Sequence, residues 1–434
     1  VLLKYKNKIK NIEGVIRYSK NAAWMLVEKI LRIISLIVIG VLLARYLEPK
    51  TFGVYSNVIS IYAIFSGIVK LGLDGILVRE LIKYPNKINN LLGTAFWLKI
   101  ISGLFAIVFI LLVLTKHTSN NQHILLAVVS VGLIFQAFEV IDIYYQSQVQ
   151  VKISTICKVT QSALSAVLKV TLLTNSADLI WFLFAYVLDV AVLAALYVVS
   201  YANNLHRRFF KIFDLSLAKS LIISSWPLMI SSIAVMIYMK IDIIMVNDML
   251  GPEEAGIYSV AVRISEGFYF LPVAITASIF PAIINSRAQD LDLYRKRIHR
   301  LYMFLAWLAI LITLPVVILS EELVVSLFGE PYISAGNVLK IHAWSTIFVF
   351  LGVGASKWVI AEGLTRNAAL RTVLGAAMNV VLNYLFINAI GMEGAALSTL
   401  ISYSFVNFFS LALFKKTRVC FFQQVRALNV FKII

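Results

Sequence analysis

"LEPKTFGVYS", residues 47–56, returns in altered form as "LGPEEAGIYS" at residues 250–259. Leu, Pro, Gly, Tyr and Ser keep the same register in both copies, and Pro49 and Pro252 stand 203 positions apart in a chain of 434 residues. Each residue has a local reason to be there. Proline suits the first helical position, because the N–H it lacks would be unpaired there anyway. Glu253 and Glu254 complement the positive end of the helix dipole behind Pro252. Gly53 and Gly256 lie four residues beyond the prolines, on one helix face, where a missing side chain lets another helix approach. Tyr55 and Tyr258 suit a membrane–water boundary. The phrase reads as a tight extracytoplasmic corner, used twice.

Composition says what the corner joins. The chain is 60% hydrophobic and only 14% charged, a balance that water-soluble domains of this length do not sustain. A bilayer crossing takes about 20 apolar residues. Twelve such stretches are expected, near 22–46, 54–74, 92–114, 124–146, 153–173, 178–201, 221–247, 257–281, 301–319, 335–361, 366–388 and 394–414. The first is too long for the core of a signal peptide and is followed by no small-residue cleavage site, so it is expected to persist in the mature protein.

The first copy of the phrase joins spans one and two, and the second joins spans seven and eight. The repeat unit is therefore six spans, an even number, so both copies enter the membrane in the same direction. The expected fold is an all-α polytopic membrane protein with two six-helix lobes, related by a pseudo-twofold axis along the membrane normal around a central cavity. The lobes are expected at 1–205 and at 221–434, the latter with a basic cytoplasmic tail, joined by a cytoplasmic linker at 206–220. Within that linker "HRRFFKIFDLSLAK", residues 206–219, has the basic and aromatic mix of a helix lying on anionic headgroups, a solvated connection being the other reading.

A net charge of +17 would suggest nucleic acid in a soluble protein. Here its placement gives another cause. With the N-terminus cytoplasmic, the inside segments hold 26 Lys and Arg, whereas the outside segments hold only Arg45, Lys50 and Lys116. This is the positive-inside rule. Both termini are expected in the cytoplasm, and no nucleic-acid partner is implied. Two cysteines, Cys157 and Cys420, exclude a disulfide framework, and five scattered histidines show no metal-ligand spacing.

The corner also belongs to a longer resemblance. "NAAWMLVEKILRIISLIVIGVLLARYLEPKTFGVYS", "LGLDGILVREL", "LFGEPYISAGNVL", "NVVLNYLFI" and "GMEGAALSTLIS" resemble, in order and spacing from about residue 20 to 410, the Wzx-type polysaccharide (O-antigen, lipid-linked oligosaccharide) flippases. These belong to the superfamily of multidrug, oligosaccharidyl-lipid and polysaccharide exporters. The resemblance implies a protein of the bacterial cytoplasmic (inner) membrane that moves an undecaprenyl-diphosphate-linked oligosaccharide repeat unit to the outer leaflet by alternating access. It implies H+ or Na+ coupling without a bound cofactor. A polysaccharide polymerase and a chain-length regulator are the implied protein partners, beside the membrane lipids.

Such a substrate brings a diphosphate past hydrocarbon, and an isolated anion there is costly. Intramembrane cations are the natural counterparts. Lys29, Arg32, Lys99, Lys158, Lys240 and Arg263 are the headgroup candidates. Arg32 lies ten residues into its span and can instead pair with Glu28 at i,i+4, while Lys29 has no obvious mate. Lys99 and Lys158 lie a short way in from the cytoplasmic face. Lys70, Lys169 and Lys357, near span ends, can snorkel to headgroups. Ion-coupling candidates are Glu28, Glu139, Asp142, Asp189 and Asp242, since desolvation can bring a carboxyl group into proton exchange near neutrality. Lys240, Asp242, Arg263 and Glu266 could form one buried ion network. Tyr144 and Tyr145 read as interfacial belt residues, the alternative being a sugar-facing wall. Asn379 and Asn383, at i,i+4, could bond to a neighbouring helix or to a ligand. Pro272, in mid-span, is a hinge candidate because proline removes a backbone hydrogen bond.

Other functions compete with this one, and a non-transporting scaffold would not explain charges in the middle of spans. A membrane-embedded polymerase or glycosyltransferase is disfavoured, because the longest outside segment is 320–334 and there is no nucleophile elbow, zinc motif or phosphate-binding glycine loop. A multidrug exporter of the same superfamily would share the fold. The surplus of intramembrane Lys and Arg argues against a lining for cationic drugs.

Overall fold

The computed structural model describes residues 2–113, 120–202, 209–287 and 290–429, and among these there are helices and turns but no strand. Among the described residues ten helical stretches are long and apolar enough to cross a membrane, in order from Pro85–Leu112 to Met392–Leu413, and each coincides with one of the expected third to twelfth spans. The two expected first lie on the arms of α1 (Leu2–Val69), which is broken at Glu48.

The chain forms two compact units, Val1–Ile39 with Ile68–Met229, and Gly40–Gly67 with Ile230–Ile434. Residues 40–67, expected with the N-terminal lobe, thus group with the second half of the chain.

In the first unit the start of α1 is followed by α2 (Leu73–Lys83), α3 (Ile88–Val113), α4 (Asn120–Ser130), α5 (Gly132–Phe135), α6 (Glu139–Ser147), α7 (Val151–Thr174), α8 (Leu179–Tyr201) and the beginning of α9 (Leu215–Met249). Its core packs Leu77 and Leu81 of α2 and Leu92 and Phe96 of α3 against Ile141 of α6 and Tyr197 of α8. Tyr144 and Tyr145, read as belt residues, are core instead. Both are buried, and their rings meet that of Tyr201 edge-on at 5.2 and 6.3 Å. The Tyr145 hydroxyl donates to Ser200 Oγ at 3.2 Å, which lets a phenol be buried without losing its hydrogen bond.

The linker departs from expectation for a similar reason. His206, Arg207 and Arg208 lie outside the described residues, but Phe209 is fully buried against Phe96 and Tyr201. Trp97 Nε1 donates to the carbonyl of Phe210 at 2.9 Å. A Cβ on Gly93 would overlap the carbonyl oxygens of Phe209 and Ile212. This stretch is therefore docked on α3 through Phe209 and Phe210. Asp214 then caps α9, its Oδ1 accepting from the backbone N–H of Ser216 at 2.9 Å and of Leu217 at 3.1 Å.

The second unit contains the rest of α9, then α10 (Pro252–Glu266), α11 (Phe270–Arg287), α12 (Leu291–Ile318), α13 (Ser320–Phe328), α14 (Ala335–His342), α15 (Ser345–Ala361), α16 (Thr365–Ile390), α17 (Met392–Ser404), α18 (Ser410–Leu413) and α19 (Arg418–Leu428). Tyr302 and Leu305 of α12, Phe350 and Leu351 of α15 and Cys420 of α19 form its core.

Here the repeated phrase acquires its physical meaning. The two corners pack on each other through their glycines. A Cβ on Gly53 would overlap the carbonyl oxygen of Pro252, and one on Gly256 would overlap that of Pro49. The backbone breaks at equivalent places, with Glu48 at φ 58°, ψ 167° and Gly251 at φ 114°, ψ 171°. That region suits glycine, so Glu48 holds it at a cost of about 1–3 kcal/mol. The motif "LFGEPY" secures the same corner. Tyr332 donates its hydroxyl proton to the Ala44 carbonyl at 2.7 Å, and Arg45 Nε donates to the Leu327 carbonyl at 2.7 Å.

Candidate functional site

In the first unit, the described acids expected to couple ions each lie beside a cation. Glu139 and Asp142 sit one turn apart on α6, a spacing that turns both toward neighbouring helices. Lys99 of α3 is fully buried, with Nζ 3.1 Å from Asp74 Oδ1 and 3.9 Å from Glu139 Oε2. Lys70 also lies 3.9 Å from Glu139. Lys158 of α7 reaches Asp142 at 2.8 Å, and the second oxygen of that carboxylate accepts from Ser154 Oγ. Lys169, expected to snorkel, instead meets Asp189 of α8 at 2.5 Å. It is more favourable for this ammonium to face a carboxylate across two helices than to reach for the headgroups.

Arg32 lies 3.3 Å from Glu28, as the i,i+4 spacing predicted, with Glu28 buried and the arginine about half exposed (52%). Lys29 is partly buried and not without an interaction, so the reading that it lacks a mate is corrected.

The second unit is built differently. The expected four-member network of Lys240, Asp242, Arg263 and Glu266 does not form as one. Lys240 Nζ bonds to Glu266 at 2.9 and 3.2 Å. Asp242, two residues on, turns to another helix face and is buried to 3% exposure. Its oxygens accept from Asn383 Nδ2 of α16 at 2.8 Å, from the Tyr258 hydroxyl of α10 at 3.1 Å and from Thr399 Oγ1 of α17. Asn383 thus makes the expected bond to a neighbouring helix, while its Nδ2 also lies 3.3 Å from Asn379 Oδ1 on its own helix. Asn379 Nδ2 and Asn383 Oδ1 are buried without hydrogen-bond partners among the described residues. Among the described residues no Lys, Arg or His forms an ion pair with Asp242.

Arg263 is set apart from its expected acids as well. Its guanidinium lies over the Phe52 ring, 5.2 Å from the centroid. A Cβ on Gly40 would overlap Arg263 Nη1, so the space for this group depends on that glycine. Among the described residues it has no carboxylate within ion-pair distance.

The hinge candidate Pro272 is the third residue of α11. The helix breaks just before it, where Phe268, Tyr269 and Leu271 donate to Ser265, Glu266 and Phe268 in short turns instead of continuing the α-helical ladder. Proline cannot donate at that point and crowds the carbonyl four residues back.

The sequence reading missed Tyr258 and Thr399 as partners of Asp242. Tyr258 carried a signal, since it is part of the repeated corner, yet its position suggested only an interfacial ring. Among the described residues no group of three or more His, Cys, Asp or Glu is arranged to hold a metal ion.

A polytopic all-helical chain in two compact units, with membrane-buried charges held at helix crossings, has the fold of a membrane transporter. Known proteins agree. The family model for "Polysaccharide biosynthesis protein" matches residues 18–287, and the chain belongs to that family. A second model, MatE, matches residues 227–385. An uncharacterized membrane protein of Methanocaldococcus jannaschii is 22% identical over 192 residues, a match spanning 44% of each chain and so less than half the length of that relative. Among solved structures, the lipid II flippase MurJ in an inward closed conformation superposes with a TM-score of 0.73 at 12% identity, over 94% of this chain and 90% of that one. An inward-facing multidrug resistance MATE family transporter of the MOP superfamily gives 0.67 at 14%, over 91% and 94%. A MOP superfamily transporter from Pyrococcus furiosus gives 0.59 at 13%, over 95% of each chain. The solved structures that share this fold are of a flippase and of transporters.

Proposed function

We propose that this protein is a Wzx-type flippase, which carries an undecaprenyl-diphosphate-linked oligosaccharide from the cytoplasmic to the outer leaflet of a bacterial cytoplasmic membrane, with both termini in the cytoplasm. The observation that carries the reading is Arg263. A guanidinium inside a membrane span with no carboxylate beside it is costly unless an anion arrives, and a planar, multidentate donor fits a diphosphate. Membership of the polysaccharide biosynthesis family points the same way.

Asp242 complements it as the coupling group. A buried carboxylate held only by neutral donors carries an uncompensated charge, which a proton or a small cation removes. The carboxylate itself takes the proton, and the hydroxyl oxygens of Tyr258 and Thr399, already bonded to it, would accept a hydrogen bond from the protonated acid or face a bound cation. Taking up and releasing that ion changes the stability of the α9, α10, α16 and α17 crossing, and this is how an ion gradient would bias an alternating-access cycle. The interrupted helix before Pro272 supplies the bend. A polymerase and a chain-length regulator then act on the exported unit.

Multidrug export is the second reading, supported by the MatE match over residues 227–385. Reconstituted vesicles separate the two. The proposal expects flipping of an undecaprenyl-diphosphate-linked oligosaccharide, lost in Arg263→Ala while the protein stays in the membrane, and loss of surface polysaccharide when the gene is deleted. Efflux of a cationic dye without lipid flipping would establish the drug exporter instead.

A further inference from the structure

In the second unit α17 does not run on as an α-helix. Residues Phe405–Phe409 form one π-helical turn, a local widening that nature keeps mostly where it re-aims a side chain for use. The side chain re-aimed is Asn407. It lies against α15 where a glycine leaves room, and a Cβ on Gly352 would overlap its amide. Asn407 borders a cavity of about 130 Å³, whose walls include Tyr238, Tyr269, Tyr403, Ser356 and Gly352.

The polar groups on these walls are incompletely used. The hydroxyls of Tyr238 and Tyr403 and the amide of Asn407 have no hydrogen-bond partner among the described residues. The Tyr269 hydroxyl shares a bond with Ser345 Oγ at 3.1 Å, and Ser356 Oγ donates to the Gly352 carbonyl at 2.9 Å, which leaves its lone pairs open. Polar groups inside a membrane protein are normally paired, so this cluster calls for an occupant that can both donate and accept. Tyr238 and Tyr403 meet edge-on at 5.1 Å, so the same wall offers aromatic surface. No residue lining the cavity carries a charge, which does not favour a phosphate, and its open hydroxyls and amide offer more hydrogen bonds than a cationic drug would use. Neutral, flat-sided and rich in hydroxyls is the description of a sugar ring.

We infer that this cavity is a subsite for one sugar ring of the translocated lipid, with Asn407 and the tyrosine hydroxyls reading its hydroxyl groups. The inference rests on the flippase reading above, and it adds where the saccharide, as distinct from the diphosphate, is recognised.

The test uses the full chain in lipid nanodiscs and two probes, the lipid-linked oligosaccharide extracted from cells that make it and undecaprenyl diphosphate without sugar. The unmutated protein should prefer the sugar-bearing lipid. Asn407→Leu should reduce that preference roughly tenfold, and the conservative Tyr238→Phe by a smaller factor, as expected for one or two lost hydrogen bonds, with binding of the bare lipid unchanged. Melting temperatures within the range of the unmutated protein show that the variants fold. Retention of the full sugar preference in both variants overturns the subsite, as does an equal loss for both lipids. Displacement of the oligosaccharide lipid by tetraphenylphosphonium in the unmutated protein but not in Asn407→Leu assigns the cavity to cations and overturns the sugar. If the unmutated protein binds neither lipid, the flippase reading itself fails, a result distinct from all of these.

Discussion

Asp142 and Asp242 are both acids withdrawn from water inside membrane helices, and their surroundings are opposite. Asp142 has the Lys158 ammonium at 2.8 Å. Asp242 has two asparagines on one helix, a phenol and a threonine hydroxyl nearby, and no cation among the described residues. A lysine settles a carboxylate permanently, because separating the pair leaves two bare charges in a poor solvent. Neutral donors lower the cost of the charge without cancelling it. In the proposed account the first arrangement is a strut and the second is the coupling site. The same contrast recurs beside Asp242, where Glu266 is matched by Lys240, so it does not follow simply from which half of the chain an acid occupies.

The sharpest way to break this comparison is to neutralise both acids in turn. Asp242→Asn should lower gradient-driven transport by roughly ten- to hundredfold, the range of ordinary coupling free energies, and should leave the protein as stable in the absence of the coupling ion, or more so. Asp142→Asn should act mainly on stability, lowering it by about 1–3 kcal/mol in thermal unfolding, because the partly exposed Lys158 keeps some solvent. The double change Asp142→Leu with Lys158→Met should restore the melting temperature and retain ion-driven transport. If that double variant loses coupling while Asp242→Asn keeps it, the roles are reversed.

Glu266→Gln with Lys240→Met sharpens the comparison within one unit. A paired acid should be replaceable there too, with a change in transport of no more than about threefold, the scale of a pair worth under 1 kcal/mol. The smallest effect is expected at Asp214, whose carboxylate, like that of Asp242, is held by neutral donors, but at a helix end outside the membrane. Its bonds from Ser216 first, and then from Leu217, hold its carboxyl below the ordinary aspartate value. A depressed folded-state value means that the cap stabilises above the unfolded value of about 3.9 and that this contribution disappears as pH falls through the folded one. Asp214→Ala should therefore show a smaller fall in melting temperature on acidification than the unmutated chain, measured by calorimetry in detergent.

Much of the fold was legible because the membrane demands it. Apolar runs of the right length mark spans three to twelve wherever they occur, and loop charge predicted an orientation. The duplicated corner pointed to a close helix approach, and the structure shows Gly53 and Gly256 meeting the opposite Pro252 and Pro49 carbonyls. Partner choice was not legible. Lys240, Asp242, Arg263 and Glu266 sit close in sequence across one corner, and their charges alone suggest a single cluster. Helix rotation divides Lys240 from Asp242, since residues two apart face different neighbours, and Arg263 lies over the Phe52 ring although Glu266 is three residues on. Tyr144 and Tyr145 were misread for a related reason. A span end suggests an interface, yet Tyr201 of α8 packs on both rings, and a long-range contact of that kind leaves no periodic trace in the sequence. Thr399 lay in an apolar run with nothing local to connect it to an acid 157 residues away.

The central claim is that Asp242 is the group whose charge is exchanged during transport. It is tested by flipping of the oligosaccharide lipid in vesicles under an imposed proton gradient and then an imposed sodium gradient, for the unmutated chain, Asp242→Asn and the Asp142→Leu, Lys158→Met double variant. The account predicts that one gradient accelerates flipping in the unmutated and double-variant proteins and has no effect on Asp242→Asn. Undiminished acceleration in Asp242→Asn would contradict it.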